Sequence, residues 1–188
     1  MGKGALLIID MQNDFVLEGK PLKVAGARVV IPKIRSVLSE FRKRSLPVFH
    51  VLRVHRPDGS DVEIIRQELF RNQPFAVAGT SGAAVIDELE PQNGEYVLEK
   101  TRMSAFIGTG LDLMLRTLGV STLFVYGIQT PNCIRTTVFD GIAYNYLVVL
   151  IDDAAAASSE EVHRANIQDM QNIGVRIVKT AEIPGILD

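Results

Sequence analysis

A single cysteine, Cys133, stands in the 188 residues. One thiol makes no internal disulfide and holds no metal ion by itself, so its role is either packing or chemistry. Its setting favours chemistry. The apolar run Leu123 to Gly127 reads as a strand, and the turn that follows, Ile128 to Asn132, leads into a helical pattern over Pro131 to Tyr144. Thr130 is a suitable helix N-cap and Pro131 a suitable first helical residue, because proline lacks a donor that would go unused there. Cys133 then falls in the first turn, where the positive end of the helix dipole is expected to favour the thiolate and lower its pKa. The free N–H groups of the same turn suit the negative oxygen that forms when a carbonyl is attacked.

A thiol nucleophile needs a group to take its proton. Asp10 closes the apolar run Ala5 to Asp10 and can accept that proton, then return it to a leaving amine. Lys100 closes the run Tyr96 to Lys100 and can hold the carboxylate while favouring the charged pair. Histidine is not required. The three residues together suit hydrolysis of a C–N bond.

The elements that must bring them together alternate short apolar runs with longer helical patterns, as in βαβ units. Strands are predicted over Ala5 to Asp10, Val48 to Val54, Tyr96 to Lys100, Leu123 to Gly127, Leu147 to Asp152 and Val175 to Lys179. Their Val, Ile and Leu content fits parallel strands covered on both faces. Helices are predicted over Val29 to Arg44, Gly110 to Leu118, Pro131 to Tyr144 and Ser159 to Ile173, with shorter ones at Asp61 to Phe70 and Ala83 to Leu89. Ser158 with Glu161 reads as a capping box for the last long helix, and Gly174 as its stop. The fold class is therefore three-layer αβα, a six-stranded parallel Rossmann-like sheet in the order 3-2-1-4-5-6. Ligands of such sheets bind beyond the strand carboxyl ends where the order reverses, which makes neighbours of Asp10 and Cys133. Lys100 ends a strand two places from the first, so its long arm must span the gap.

Composition bounds the rest. With 47% hydrophobic and 22% charged residues, the chain fits one domain over residues 1–188. A net charge of -2 with scattered basic residues predicts neither nucleic acid nor an anionic membrane as partner. The opening MGKGALLIID lacks a signal-peptide pattern and no apolar run reaches spanning length, so a cytoplasmic protein is expected. Gly108-x-Gly110 lacks a third glycine, and the acidic stretch after the first strand would repel phosphate, so no dinucleotide cofactor is expected. His163 reads as a surface residue of a polar helix. Arg102 and Arg135 could meet a substrate carboxylate or make surface salt bridges.

Three motifs then carry a resemblance across nearly the whole chain: D-x-Q-N-D-F at Asp10 to Phe15, K-T-R-x-S-A-F at Lys100 to Phe106 and G-I-Q-T-P-N-C at Gly127 to Cys133. In order and spacing they resemble the isochorismatase-like cysteine hydrolases, which include nicotinamidases, carbamoylsarcosine and ureidoacrylate amidohydrolases and isochorismatases. The resemblance implies that Asp10, Lys100 and Cys133 form a catalytic triad and that the Ile128–Gln129 peptide is cis. It also implies an oxyanion hole from the N–H groups of Gln129 and Cys133, a pocket wall at Phe15, and a homo-oligomer, dimer or tetramer. Nicotinamidases of this family carry Asp-x-His and a further histidine as metal ligands. Here the stretch reads HVLRVHRPDGSDVE, with His50 and His55 but no Asp-x-His, so no metal is expected. Isochorismatases cleave a vinyl ether and can dispense with the thiol, so Cys133 directs the reading to a small amide, ureido or carbamoyl substrate. The remaining readings are a vinyl ether hydrolase, a nicotinamidase and an inactive family member acting as a scaffold.

Overall fold

Six parallel strands lie in the order β3-β2-β1-β4-β5-β6 in the computed structural model, which describes residues 2–187. In chain order the elements are β1 (Gly4–Ile9), α1 (Asn13–Val16), α2 (Ala27–Lys43), β2 (Val48–Arg53), α3 (Gln67–Asn72), β3 (Tyr96–Lys100), α4 (Leu111–Thr117), β4 (Thr122–Ile128), α5 (Arg135–Ala143), β5 (Leu147–Ala156), α6 (Glu160–Asn172), β6 (Arg176–Val178) and α7 (Ile183–Leu187). The predicted fold class and strand order are those observed.

The central strands β1, β2 and β4 are buried on both faces because both faces are covered. Leu6 and Ile8 of β1 join Ile34, Leu38 and Phe41 of α2 in one core, while Leu7 and Ile9 join Leu115 of α4, Val138 of α5 and Met170 of α6 in the other. The apolar residues of α2 recur at helical spacing, and each such side chain, fully buried, contributes about 1.5–3 kcal/mol. The ring of Phe41 meets Phe124 of β4 edge-on at 5.2 Å between centroids. These two cores set the sheet rigidly enough to hold a site at its rim.

Several boundaries differ from expectation. β5 runs past Asp152 to Ala156, because both acids in its middle are paired: Asp153 accepts from the N–H and hydroxyl of Thr180, and Asp152 from His163 and Lys179. The cap of α6 is Ser159, not Ser158; its hydroxyl accepts from the N–H of Val162. Gly174 follows α6 at φ +94°, the left-handed stop that glycine favours. The helix predicted from Pro131 is divided, with a π-helical turn at Thr130–Ile134 preceding α5. The helix predicted at Asp61 to Phe70 is a 3-10 turn at Ile64–Arg66 leading into α3, and that predicted at Ala83 to Leu89 gives way to 3-10 turns at Ser81–Ala83 and Asp87–Leu89.

Candidate active site

The carboxyl ends of β1, β2 and β4 surround a cavity of about 290 Å3 whose lining includes Asp10, Phe15, Arg53, Arg66, Gln129 and Cys133. β1 pairs with β4 through Ile9 and Gly127, which brings Asp10 beside the turn that carries Cys133. Asp10 sits at φ +53°, in the left-handed region. A non-glycine residue costs about 1 kcal/mol there, least for Asp and Asn, and the kink turns the chain off the strand axis.

The arm of Lys100 crosses the end of β2 and donates from Nζ to Asp10 Oδ2 at 3.0 Å and to the carbonyl of Arg102 at 3.2 Å. Both members of the pair are buried, and Asp10 Oδ1 is buried without a partner. Cys133 is also buried, and burial pushes its thiol above the ordinary value; the charge of Asp10 adds to the rise, while Lys100 and Arg53 oppose it. The helix terminus therefore does not lower the pKa of this thiol as the sequence predicts. Desolvation wins because the thiol is enclosed. The Ile128–Gln129 peptide is cis, and Gln129 precedes the π-helical turn, its carbonyl accepting from the N–H groups of Asn132 and Ile134.

Thr130 does not cap this turn with its side chain. Its hydroxyl is 2.8 Å from His163 Nδ1, and His163 Nε2 is 2.7 Å from Asp152 Oδ1. His163 is thus a buried link between α6, β5 and the turn that bears Cys133, not a surface residue. Asp152 accepts only, so Nε2 carries a proton directed at its carboxylate. The hydrogen bond from His163 and that from Lys179 hold the Asp152 carboxyl far below the ordinary range.

Arg102 lies outside the cavity. Its guanidinium is occupied by the carbonyls of Asp61, at 2.7 Å, and Thr101, at 3.2 Å, and it borders a separate hollow with Arg135. Arg135 pairs with Asp169 and covers the ring of Phe139. Phe15 does line the cavity, 6.4 Å from the ring of Phe75. His50 bonds to Glu95, and His55 lies near Asp61 with its ring edge-on to Phe70 and Phe75. Among the described residues, no group of three or more His, Cys, Asp or Glu side chains is arranged to hold a metal ion.

Sequence reasoning missed Arg53. This buried residue places Nη2 3.7 Å from Cys133 Sγ and donates from Nη1 to Glu63 Oε1 at 2.8 Å and to the carbonyl of Thr101 at 3.3 Å. A signal was present, since an arginine closes the apolar run VFHVLR on the same rim as Asp10. Gln12 was missed as well. Its amide accepts from the N–H of Arg53 at 2.8 Å and donates to the carbonyls of Arg53 and Ala83, both at 2.7 Å. Asn13 and Asp14 likewise bind main chain at Ser81 and Ala76. The polar residues of the first motif thus fasten the irregular segment after β2 to the site.

Residues 4–182 match the isochorismatase domain. A protein of Arabidopsis thaliana described as a probable inactive nicotinamidase is 44% identical over 176 residues, covering 92% of this chain and 90% of its own length. An N-carbamoylsarcosine amidase of Arthrobacter is 28% identical over 98% of this chain and 71% of its own. The crystal structure of an isochorismatase family protein from Desulfovibrio vulgaris superposes with a TM-score of 0.96 and 47% identity, covering 100% of this chain and 99% of the other.

Proposed function

The chain belongs to the isochorismatase family, and from that premise we propose that it is a cysteine-dependent hydrolase of a small amide, ureido or carbamoyl compound. The observation that carries this is the Lys100–Asp10 pair at 3.0 Å on the rim of the cavity that holds the chain's one thiol.

In this reading the unpartnered Asp10 Oδ1 takes the Cys133 proton as Sγ attacks the carbonyl carbon. The N–H groups of Gln129 and Cys133 receive the developing oxyanion. Asp10 then gives the proton to the departing nitrogen, leaving a thioester. Water, deprotonated by Asp10, adds to the thioester and expels the thiolate, which recovers the proton. Lys100 keeps Asp10 oriented throughout. On a substrate R–NH–CO–NH2 this sequence releases ammonia, and the carbamate left behind loses carbon dioxide.

The Arabidopsis relative is described as a probable inactive nicotinamidase, a description that names no other amide. A nicotinamidase reading is not favoured here, since Arg53-Val54-His55 stands in the stretch where a metal-binding Asp-x-His would be sought. The scaffold reading is opposed by the presence of Asp10 and Cys133 on the cavity wall, with Lys100 bonded to Asp10 behind it. Exposed Ile64 and Ile65 adjoin Arg66 and Leu69 at its mouth, which supports a second subunit at that edge; light scattering across a dilution series tests it.

The deciding experiment is ammonia release from a panel of ureido, carbamoyl and carboxamide compounds, with Cys133→Ala as control. Release by the native protein alone supports the proposal. No release from any compound, or equal release by the variant, overturns it.

A further inference from the structure

We propose that Arg53 is a catalytic residue, the counter-ion that receives the Cys133 thiolate when Asp10 takes the proton. The inference rests on the hydrolase reading of this site and adds a group that the triad does not contain. Its first support is contact: Nη2 lies 3.7 Å from Sγ, within N–H···S range, and both side chains are buried. Its second is fixation. Nη1 is held by Glu63 and the Thr101 carbonyl, while Gln12 grips the Arg53 main chain at both N–H and C=O. A cation so anchored does not reorganise as charge appears on sulfur, which is what makes such a group effective.

The third support is charge balance. At rest Asp10 pairs with Lys100 and Arg53 with Glu63, and the proposed step starts from the protonated thiol. When the proton moves from Sγ to Asp10, the site keeps the same number of protons and the same net charge, but the negative charge now lies on sulfur. Lys100 remains bonded toward Asp10 and the Arg102 carbonyl. Arg53 is the cation with a donor against the thiolate. The guanidinium fork also explains the residue type: one nitrogen stays on Glu63 while the other serves sulfur, a division that the compact ammonium of lysine does not reproduce. A role limited to the Glu63 ion pair would leave the direction of Nη2 unexplained.

The test is alkylation of Cys133 by iodoacetamide as a function of pH, followed by intact mass, which needs no amide substrate. Arg53→Gln should raise the pH midpoint by about one unit and slow modification near neutrality about tenfold, since one unit is tenfold in thiolate fraction. Arg53→Lys should recover part of that loss. Glu63→Gln, which leaves the guanidinium in place without its counter-charge, should shift the midpoint the opposite way, downward. This second variant keeps the test decisive if Arg53→Gln fails to fold. A midpoint unmoved by Arg53→Gln in folded protein, or unmoved or raised by Glu63→Gln, overturns the assignment. Opposite shifts in a protein that releases no ammonia would uphold Arg53 as the counter-ion of the Cys133 thiolate while sinking the hydrolase reading and with it the catalytic role.

Discussion

Lys100 Nζ meets Asp10 Oδ2 at 3.0 Å although β2 lies between their two strands. The pairing succeeds because β2 ends level with β3, Arg53 opposite Lys100, and the lysine stem is buried as it passes that end. Both charges are removed from water, so deleting one strands the other. Lys100→Met should destabilise the protein by about 3–5 kcal/mol, the usual penalty for an orphaned buried charge. Urea unfolding at pH 7 measures it, and a loss below about 1 kcal/mol would mean that Asp10 finds water.

Asp10→Asn separates two effects that the proposed triad combines. Removing the carboxylate takes away a negative neighbour that raises the Cys133 pKa, while Lys100 and Arg53 continue to lower it. Iodoacetamide should therefore modify Cys133 faster near neutral pH in Asp10→Asn than in the native protein. Ammonia release should fall by at least about 100-fold, the contribution expected of a positioned acid and base. Slower alkylation together with slower turnover would indicate a collapsed site instead.

The contrast between Asp10 and Arg53 shows what was legible in the sequence. The order of the strands, and hence the meeting of Asp10 with Cys133, followed from apolar runs and the geometry of doubly wound sheets. Arg53 was hidden because a charged residue at a strand end is commonly a solvated one, and its burial depends on Glu63 and Gln12, which lie ten or more positions away. His163 was misplaced for a related reason. Its helix is polar overall, and only the tertiary partners Thr130 and Asp152 bring the imidazole inside. The same long-range pairing at Asp152 and Asp153 let β5 continue through two acids that read locally as a stop.

Gly127 is where the backbone itself limits substitution. It has φ +114°, and a Cβ there would stand 2.2 Å from the Ile9 carbonyl oxygen, a main-chain atom of the neighbouring strand. Neither torsion nor space accommodates a side chain, and yielding would shift β1 against β4 just before Asp10 and Gln129. Gly127→Ala should cost at least about 3 kcal/mol, the scale of backbone strain added to overpacking. Urea unfolding and soluble yield read the result; a change under about 1 kcal/mol would show that the pairing of Ile9 with Gly127 is slack.

Acid should weaken the sheet edge through Glu95. Its carboxylate accepts from Arg42 Nε and Nη2 at 2.6 and 2.9 Å, from the Gln92 N–H at 2.9 Å and from His50 Nε2 at 2.8 Å. Burial pushes its pKa up, but these donors, Arg42 foremost, outweigh that and bring it to about 2 from an ordinary 4.5. A carboxyl with a depressed folded pKa adds stability that is complete above 4.5 and is lost as pH falls toward the folded value. At about 1.4 kcal/mol per unit, roughly 2 kcal/mol should disappear between pH 4.5 and about pH 3. His50 adds to the loss from nearer neutrality, because burial holds its imidazole below the ordinary 6.5 and protonation therefore favours the unfolded chain. Glu95→Gln should be less stable than the native protein at pH 7 and should lose less on acidification below pH 4.5. Urea midpoints at pH 7, 4.5 and 3 for both proteins decide it: parallel acid limbs would place the acid sensitivity in other carboxylates.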